Sequence, residues 1–308
     1  MFSQPLLIAS RSARMRRAVT GTPALRRLAD RFVAGETLDQ AVDSTTGLVD
    51  RGLHVTIDHL GEDTLDAADA RATRDAYLAL LGRVTALGLA GEVEVSLKLS
   101  ALGQKLPTDA AQVTLENAVA ICEAARAAGT TVTIDMEDHT TVDATLGTVR
   151  DLRADYPWVG AVLQSCLRRT EADCADLATA GSRVRLVKGA YAEPASVAYQ
   201  AKRDVDLAYA RCMRTLMASK AYPMIATHDL RMVAIAEQLG TELGREPGSY
   251  EFQMLYGIRA SEQRALASRG HLVRVYLPYG EDWYGYFMRR LAERPANLAF
   301  FARSLFSR

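Results

Sequence analysis

An alternation of short apolar segments with longer helical ones is the feature that most constrains the fold of this chain. Eight apolar segments, rich in Val, Ile and Leu, are predicted to be strands, and each is followed by a predicted helix. The strands are predicted at residues 55–60, 94–99, 131–136, 159–164, 184–188, 224–227, 250–255 and 272–277. The helix after the fourth strand is predicted over residues 171–180, and the helix after the fifth over about residues 196–220. Strands that alternate with helices pair in parallel, and closing the sheet removes its exposed edges. The sequence therefore predicts an α/β fold, a (β/α)8 TIM barrel with a short N-terminal helical segment.

Length and composition are consistent with one large barrel domain. The 308 residues are 49% hydrophobic and 24% charged, and a barrel of this kind uses about 250 residues. We predict a helical segment over residues 1–45 and the barrel over residues 46–308. No GxGxxG motif follows the first strand, which argues against a Rossmann fold.

Charge and cysteine content narrow the class of protein. The formal net charge at pH 7 is zero, whereas a nucleic-acid-binding protein carries a basic excess, so no nucleic-acid partner is predicted. The four cysteines lack CxxC spacing, which predicts reduced thiols in a cytoplasmic protein. No apolar run in the sequence reaches about 20 residues, the length that a transmembrane helix needs.

Residues 11–31 form a strongly basic segment with seven arginines and a single acid, Asp30. A transit peptide, an amphipathic helix at a membrane surface and a solvated helix packed on the main domain all fit this composition. We favour the solvated helix, because the segment lacks a long apolar face. The predicted location is cytoplasmic, with peripheral contact at the inner face of the membrane.

Polar and charged residues concentrate where the predicted strands end, which is where α/β barrels carry their active sites. These residues are Asp58, His59, Glu62, Lys98, Asp135, Glu137, Gln164, Lys188, Thr227, His228, Gln253 and Tyr276. Two of the five lysines in the chain, Lys98 and Lys188, are among them. An ammonium group can lose its proton when buried, so both lysines are candidates for chemistry.

A metal-dependent hydrolase is the least favoured of the chemistries that these residues suggest. His59, His139 and His228 all follow predicted strands, but HxH and HExxH spacings are absent from the sequence. Metal-dependent hydrolases cluster histidines and carboxylates as ligands. No metal is therefore predicted.

Two other chemistries remain open from the residues alone. A Schiff-base aldolase needs a desolvated lysine with an acid–base partner, and Lys98 or Lys188 with Asp135 or Tyr276 would serve. In a flavin enzyme the cofactor carries the chemistry at the barrel mouth. Its predicted flavin-binding residues are Gln164, Arg185, Lys188 and His228. Flavin absorbance or covalent trapping by borohydride distinguishes these enzymes, and a non-catalytic binding protein would show neither.

Residues 271–294 combine the last predicted strand, a turn at residues 278–280 and a helix. Glu281 and Asp282 are predicted to lie in the first helical turn, where the helix dipole favours acids. One helix face carries Tyr286, Arg289, Arg290 and Glu293. Two adjacent guanidinium groups can bind a carboxylate through forked hydrogen bonds, although a solvated Arg289–Glu293 pair also fits the spacing.

Several strings of the sequence together resemble the proline dehydrogenase family. In chain order they are SLKLSALG, TIDMEDH, VLQ followed by Arg168 and Arg169, RLVKGAY, ATHD, FQMLYG, and RVYLPYG followed by Tyr286 and RRLAER. The resemblance extends over about residues 54–297, and the length resembles that of the monofunctional bacterial form. It implies an FAD enzyme that oxidises L-proline to Δ1-pyrroline-5-carboxylate, the first step of proline catabolism. Electrons would pass to a membrane quinone through transient contact with the membrane surface.

The resemblance also implies roles for individual residues. The proline site would consist of Lys98, Tyr191, Leu255, Tyr276, Tyr286, Arg289 and Arg290. The catalytic residues would be Lys98, Asp135, Arg185 and Tyr276, with Asp135 bonded to Tyr276 and Arg185 beside flavin N5. FAD would be held by Met136, Gln164, Arg185, Val187, Lys188, Gly189, Ala190, Thr227 and His228. Glu62 would gate the pocket by pairing with Arg289.

The sequence departs from the family pattern at two positions. TIDMED replaces the commoner DAEE, which affects the contacts expected around Met136, and Asp229 stands where many members carry Asn. The residues also leave open which group removes the proton of the proline amine. Water and a lysine of lowered pKa are both compatible with the sequence.

Overall fold

The computed structural model describes residue 26 and residues 28–293, with side chains through Arg290. Eight parallel strands close into a barrel in chain order, which confirms the predicted fold. The strands are β1 (His54–His59), β2 (Val93–Leu97), β3 (Val132–Ile134), β4 (Gly160–Gln164), β5 (Arg183–Val187), β6 (Tyr222–Ala226), β7 (Glu251–Leu255) and β8 (Leu272–Tyr279). The helices are α1 (Leu38–Val49), α2 (Ala67–Ala86), α3 (Ala110–Ala128), α4 (Val142–Asp155), α5 (Thr170–Leu177), α6 (Lys202–Ala218), α7 (Leu230–Glu242), α8 (Ala260–Ser268) and α9 (Trp283–Glu293).

The barrel closes where β1 pairs in parallel with β8. In this register Thr56 lies opposite Tyr276, and Ile57 lies opposite Leu277. Closure brings the loop after β1 beside the end of β8 and the helix that follows it. Residues that are more than 200 positions apart in the sequence therefore meet at one side of the mouth.

The two faces of the strands differ in polarity. Alternate residues such as Val55, Ile57, Val95 and Leu97 are fully buried in the apolar core that includes residues of the surrounding helices. Successive side chains of a strand point to opposite faces, so the residues between them point into the barrel. Many of these are polar or charged, in contrast to the branched apolar residues that usually fill a TIM barrel.

Glu94 is the centre of an ion-pair network inside the barrel and is only 1% exposed. Its carboxylate lies 2.7 Å from Arg183, 3.3 Å from Arg185 and 3.8 Å from Arg274. Burial alone would raise the pKa of Glu94, but the three guanidinium groups outweigh it and lower the pKa to about 2. Arg274 also pairs with Glu251 at 2.9 Å, so the buried charges compensate one another.

Several element boundaries differ from those predicted. The helix expected from residue 196 begins at Lys202, because Gly189 and Pro194 favour an irregular loop after β5. The helix predicted over residues 171–180 ends at Leu177, and a 3₁₀ turn over Leu99–Leu102 follows β2. Glu281 and Asp282 precede α9, which begins at Trp283, so they do not lie in its first turn.

Strand β8 continues through the predicted turn at residues 278–280. The Pro278 carbonyl accepts a hydrogen bond from the Ala34 amide at 2.9 Å, and the Tyr279 carbonyl accepts one from the Leu60 amide at 2.8 Å. The strand ends at Tyr279, and the next residue, Gly280, has a φ of 124°, which glycine readily adopts. Partners from the N-terminal part of the chain thus extend a strand that contains a proline.

The segment before α1 packs over α9. Leu28, Phe32 and Val33 form a second apolar cluster with residues of α9, including Trp283 and Phe287. The prediction of a helical segment over residues 1–45 falls largely on residues 1–25 and 27, which lie outside the described residues. The division at residue 45, which falls inside α1, stays a prediction. Within the described part of the chain, no helix has the length and apolar character needed to span a membrane.

Candidate active site at the barrel mouth

Lys98 is the centre of a charged cluster at the C-terminal ends of the first strands and β8. Its ammonium nitrogen lies 2.6 Å from Asp58 Oδ2, 3.2 Å from the Tyr276 hydroxyl and 3.5 Å from Asp135 Oδ2. The Tyr276 hydroxyl in turn donates to Asp135 Oδ2 at 2.6 Å. The structure therefore brings together three of the four residues predicted to be catalytic, and adds Asp58 to them.

The carboxylates around Lys98 decide its protonation state. Burial alone would lower its pKa, but the charges of Asp58 and Asp135 outweigh burial and raise the pKa above its ordinary value. Lys98 is therefore an ammonium ion at neutral pH. It does not have the lowered pKa that a Schiff-base nucleophile or a lysine base requires.

Arg185 is the fourth predicted catalytic residue, and it lies beneath the same cluster. Its guanidinium donates to Asp135 Oδ1 at 2.7 Å, to the Ser96 hydroxyl at 2.9 Å and to Gln253 at 2.6 Å. It also lies 3.3 Å from Glu94. These partners leave Arg185 with little freedom to rotate, so its charge is held in one place at the floor of the mouth.

Arg289 and Arg290 lie on α9 above the mouth, on the side where β1 meets β8. Glu62, in the loop after β1, accepts two hydrogen bonds from Arg289, one of them at 3.0 Å from NH1 to Oε2. The guanidinium carbon of Arg290 lies 5.1 Å from the centre of the Tyr286 ring. Tyr191 is partly buried nearby, and burial, together with the charge of Glu62, raises its pKa above the ordinary range.

A second charged cluster follows β5 and β6. Lys188 lies 2.5 Å from Asp206 and 2.9 Å from Asp229. Arg231 contacts the same two carboxylates at 2.9 and 2.7 Å, and Lys202 lies 2.5 Å from Asp206. Three cations therefore face two carboxylates, which leaves one excess positive charge at this side of the mouth.

A cavity of about 600 Å³ opens beside Lys188 and Gly189. Gly189 has a φ of +113°, and a Cβ atom at this position would overlap the sulfur of Cys166. Only glycine therefore fits the backbone path that lines this wall of the cavity. The opposite wall includes Tyr199 and Val205.

The remaining residues predicted to hold the cofactor lie around the same half of the mouth. Gln164 ends β4 and donates to the Glu137 carbonyl at 2.7 Å, and His228 Nε2 accepts from the Leu255 amide at 2.9 Å. This bond makes Nε2 the unprotonated nitrogen of the His228 ring. Val187 ends β5, Thr227 directly follows β6, and Met136 and Ala190 lie two and three residues after β3 and β5 on the same rim.

The structure gives roles to residues for which the sequence analysis proposed none. Ser96, Glu94 and Gln253 support Arg185 and Asp135 from inside the barrel. The string EVSLK contains the signal, because Glu94, Ser96 and Lys98 occur at every second position of an apolar strand. That period places them on one face of the strand.

The three histidines that follow strands have separate surroundings. The His59 ring lies 5.1 Å from that of Tyr279, His139 bonds to Glu193, and His228 accepts from β7. Among residues 26 and 28–293, no group of three or more His, Cys, Asp or Glu side chains is placed to bind a metal.

Comparisons with known proteins agree on one family. A family model described as proline dehydrogenase matches residues 41–303. The chain is 42% identical to proline dehydrogenase 2 of Bacillus subtilis (strain 168) over 272 residues, which are 88% of each chain. It is 41% identical over 280 residues, or 90% of each chain, to the proline dehydrogenase of Deinococcus radiodurans.

A solved structure has the same fold. Proline utilization A from Bdellovibrio bacteriovorus, inactivated by N-propargylglycine, superposes with a TM-score of 0.81 at 24% identity. The match covers 87% of this chain and 33% of that larger protein. At this identity the likeness demonstrates the shared barrel.

Proposed function

The chain belongs to the proline dehydrogenase family, and from this premise we propose that it oxidises L-proline to Δ1-pyrroline-5-carboxylate. The family resemblance stated from the sequence motifs is thereby confirmed. We further propose FAD as the cofactor and a membrane quinone, reached by transient contact with the membrane surface, as the electron acceptor. The observation that carries the proposal is the loop after β1, which pairs with Arg289 of α9 through Glu62 and hydrogen-bonds through the Asp63 amide to Ser100, two residues after Lys98.

Proline is a small zwitterion, and its carboxylate needs several donors in a confined space. We assign this role to Arg289, Arg290 and Lys98, since each is a permanent cation and forked guanidinium donors match a carboxylate. Glu62 occupies two donors of Arg289 in the described structure. The substrate carboxylate can replace it, and Glu62 then acts as the gate that the sequence analysis expects.

The apolar part of the substrate is a five-membered ring. Tyr191, Leu255, Tyr276 and Tyr286 are the residues that we assign to the walls around it. Of these, Tyr276 is held most firmly, because its hydroxyl donates to Asp135 and accepts from Lys98. A rigid wall keeps the proline ring at reacting distance from the cofactor and excludes water from the pocket.

The residues on the other side of the mouth fit FAD. Lys188 and the backbone at Gly189 line the cavity, the Gln164 side chain lies beside Gly189, and the excess positive charge suits phosphates. When bound, FAD supplies the acceptor for the hydride that leaves the proline ring. The residues proposed to hold it are Met136, Gln164, Arg185, Val187, Lys188, Gly189, Ala190, Thr227 and His228.

The proton of the proline amine must leave before or with the hydride. Lys98 cannot accept it, because Asp58 and Asp135 hold it as an ammonium ion. Asp135 is engaged with Tyr276, Arg185 and Ser96. We therefore propose that water takes the proton, while Lys98 orients the carboxylate.

Flavin absorbance of the purified protein and proline-dependent reduction of a quinone analogue test this function. The expected result is a yellow protein that is bleached by L-proline without air. A colourless protein would contradict the flavoenzyme, and only covalent trapping of its substrate by borohydride would support the aldolase. Retention in salt-washed membranes would contradict transient membrane contact and the proposed cytoplasmic or peripheral location.

A further inference from the structure

His139 and Glu193 connect two loops of the barrel mouth that are 54 residues apart in sequence. The His139 backbone amide donates to Glu193 Oε1 at 3.0 Å, and the His139 ring nitrogen Nδ1 contacts the other carboxylate oxygen. The Glu193 side chain is only 4% exposed. Burying a carboxylate to this degree costs free energy unless its hydrogen-bond partners stay in place, so this contact connects the two loops specifically. We call it the His139–Glu193 tie.

The loop that Glu193 belongs to, residues 189–201, is anchored at both ends. At its start, just after β5, the Lys188 carbonyl accepts from the Cys166 amide at 2.9 Å, and at its far end Ala198 bridges to Leu167. The Tyr199 amide donates to the Cys166 carbonyl at 2.8 Å, which completes that anchor. Between the two anchors, the Glu193 carboxylate ties the loop to the segment after β3.

Tyr191 lies in this middle part, two residues before Glu193. It is partly buried, and the charges of Glu62 and Arg289 both act on it. The position of Tyr191 therefore depends on a loop whose central tie is on Glu193. His139 and Glu193 themselves bond to each other and not to the Lys98 cluster.

We propose that His139 and Glu193 are positioning residues for proline recognition: their pairing holds the 189–201 loop so that Tyr191 closes the substrate site. This inference rests on the proposed function, in which Tyr191 is one wall of the proline pocket. A loop released from this tie samples more conformations, and the substrate must then supply the cost of ordering it. The expected consequence is weaker proline binding with a nearly intact rate for bound substrate.

Steady-state kinetics of Glu193→Ala and Glu193→Gln test the proposal in the holoenzyme. Glu193→Ala should raise the KM for proline by about five- to tenfold with kcat changed less than about twofold. Glu193→Gln keeps an acceptor for the His139 amide and should recover part of the loss. An unchanged KM, or a fall in kcat with KM unchanged, would overturn the positioning role.

A double-mutant cycle with Tyr191→Ala tests whether the tie acts through Tyr191. If it does, adding Glu193→Ala to Tyr191→Ala should raise KM little further, whereas independent effects would multiply. Multiplied effects overturn the inference. If Tyr191→Ala alone leaves KM unchanged, the proposed pocket is wrong as well. If Tyr191→Ala raises KM and Glu193→Ala does not, only the positioning role fails.

The chain offers a matched control at the opposite rim. His271, just before β8, lies 2.9 Å from Glu237 of α7, and both side chains are partly exposed. Glu237→Ala removes the same type of pair away from the mouth and should leave the KM for proline unchanged. An equal rise of KM in this variant would show a general loss of stability and would overturn the inference.

Discussion

Two of the sets of charged groups at the barrel mouth are held in different ways. In the strand set, Asp58, Lys98, Asp135 and Arg185 lie on strands or directly after them, and each is paired within the set. In the helix set, Arg289 and Arg290 lie on α9, and Arg289 is paired with Glu62 of a loop. The strand set is electrically balanced and rigid, whereas in the proposed function the helix set exchanges its loop partner for a substrate carboxylate.

The largest effect that separates the two sets should come from Lys98→Met. We expect the free energy of unfolding to fall by about 3–5 kcal/mol, because the buried Asp58 carboxylate loses its counter-charge. Urea denaturation at neutral pH measures this change. The loss should shrink as the pH falls, since burial raises the pKa of Asp58 and a protonated carboxyl needs no counter-charge.

Lys105→Met is the control for this prediction. Lys105 pairs with the exposed Asp63 at 2.6 Å, so its loss should change stability by less than about 1 kcal/mol. Equal effects of the two substitutions would contradict the special status of the strand set.

Arg289→Met and Arg290→Met should affect binding. Hydrogen bonds to charged groups contribute about 1.5–3 kcal/mol, so each variant should raise the KM for proline by about one to two powers of ten. Kinetics with pyrrolidine, which lacks the carboxylate, should change much less. Flavin content should stay normal, because the cofactor is assigned to other strands. Wild-type KM values in both variants would refute the proposed carboxylate site.

Tyr276→Ser should change substrate preference between L-proline and 4-hydroxyproline. The hydroxyl of Tyr276 is held by Asp135 and Lys98. In the proposed pocket its ring stands where a hydroxyl of the substrate ring would protrude, and overpacking costs about 1–3 kcal/mol. The ratio of kcat/KM values for the two substrates should favour proline in the wild type and narrow in the variant. A wild-type enzyme that prefers hydroxyproline would show that Tyr276 is not this wall.

Glu62→Ala should have the smallest effect on stability, about 1 kcal/mol or less, because its pair with Arg289 is partly exposed. Its effect should appear in the rate at which the proline site closes, which stopped-flow measurement of flavin reduction by proline resolves. A closing rate equal to that of the wild type would mean that Glu62 does not gate the site.

Periodicity predicted the strands because Val, Ile and Leu recur in short segments bounded by helices. The C-terminal ends of those strands then placed Lys98, Asp135 and Tyr276 on one rim. The same reasoning missed the role of Asp58 and the network around Glu94. Their partners come from strands far apart in sequence, and the spacing along one strand does not specify which partner lies across the barrel.

The loop after β5 shows a second limit of the sequence. Residues 196–201 were predicted to be helical, yet helix α6 begins at Lys202. The helix propensity of these residues does not reflect two tertiary contacts of the loop, the bridge between Ala198 and Leu167 and the tie between Glu193 and His139. These tertiary contacts determine the loop, and with it the position of Tyr191.

The packing of the segment before α1 against α9 has a consequence for folding while the chain is being synthesised. Phe32 and Val33 pack on α9, and Ala34 and Gly35 bond to the end of β8, so the first and last described parts of the chain position the two arginines together. A chain emerging from the ribosome therefore lacks the proposed proline site until α9 has left the exit tunnel. We expect arrested nascent chains that end before Trp283 to show no proline-dependent protection from proteolysis, whereas the released 308-residue chain should show it.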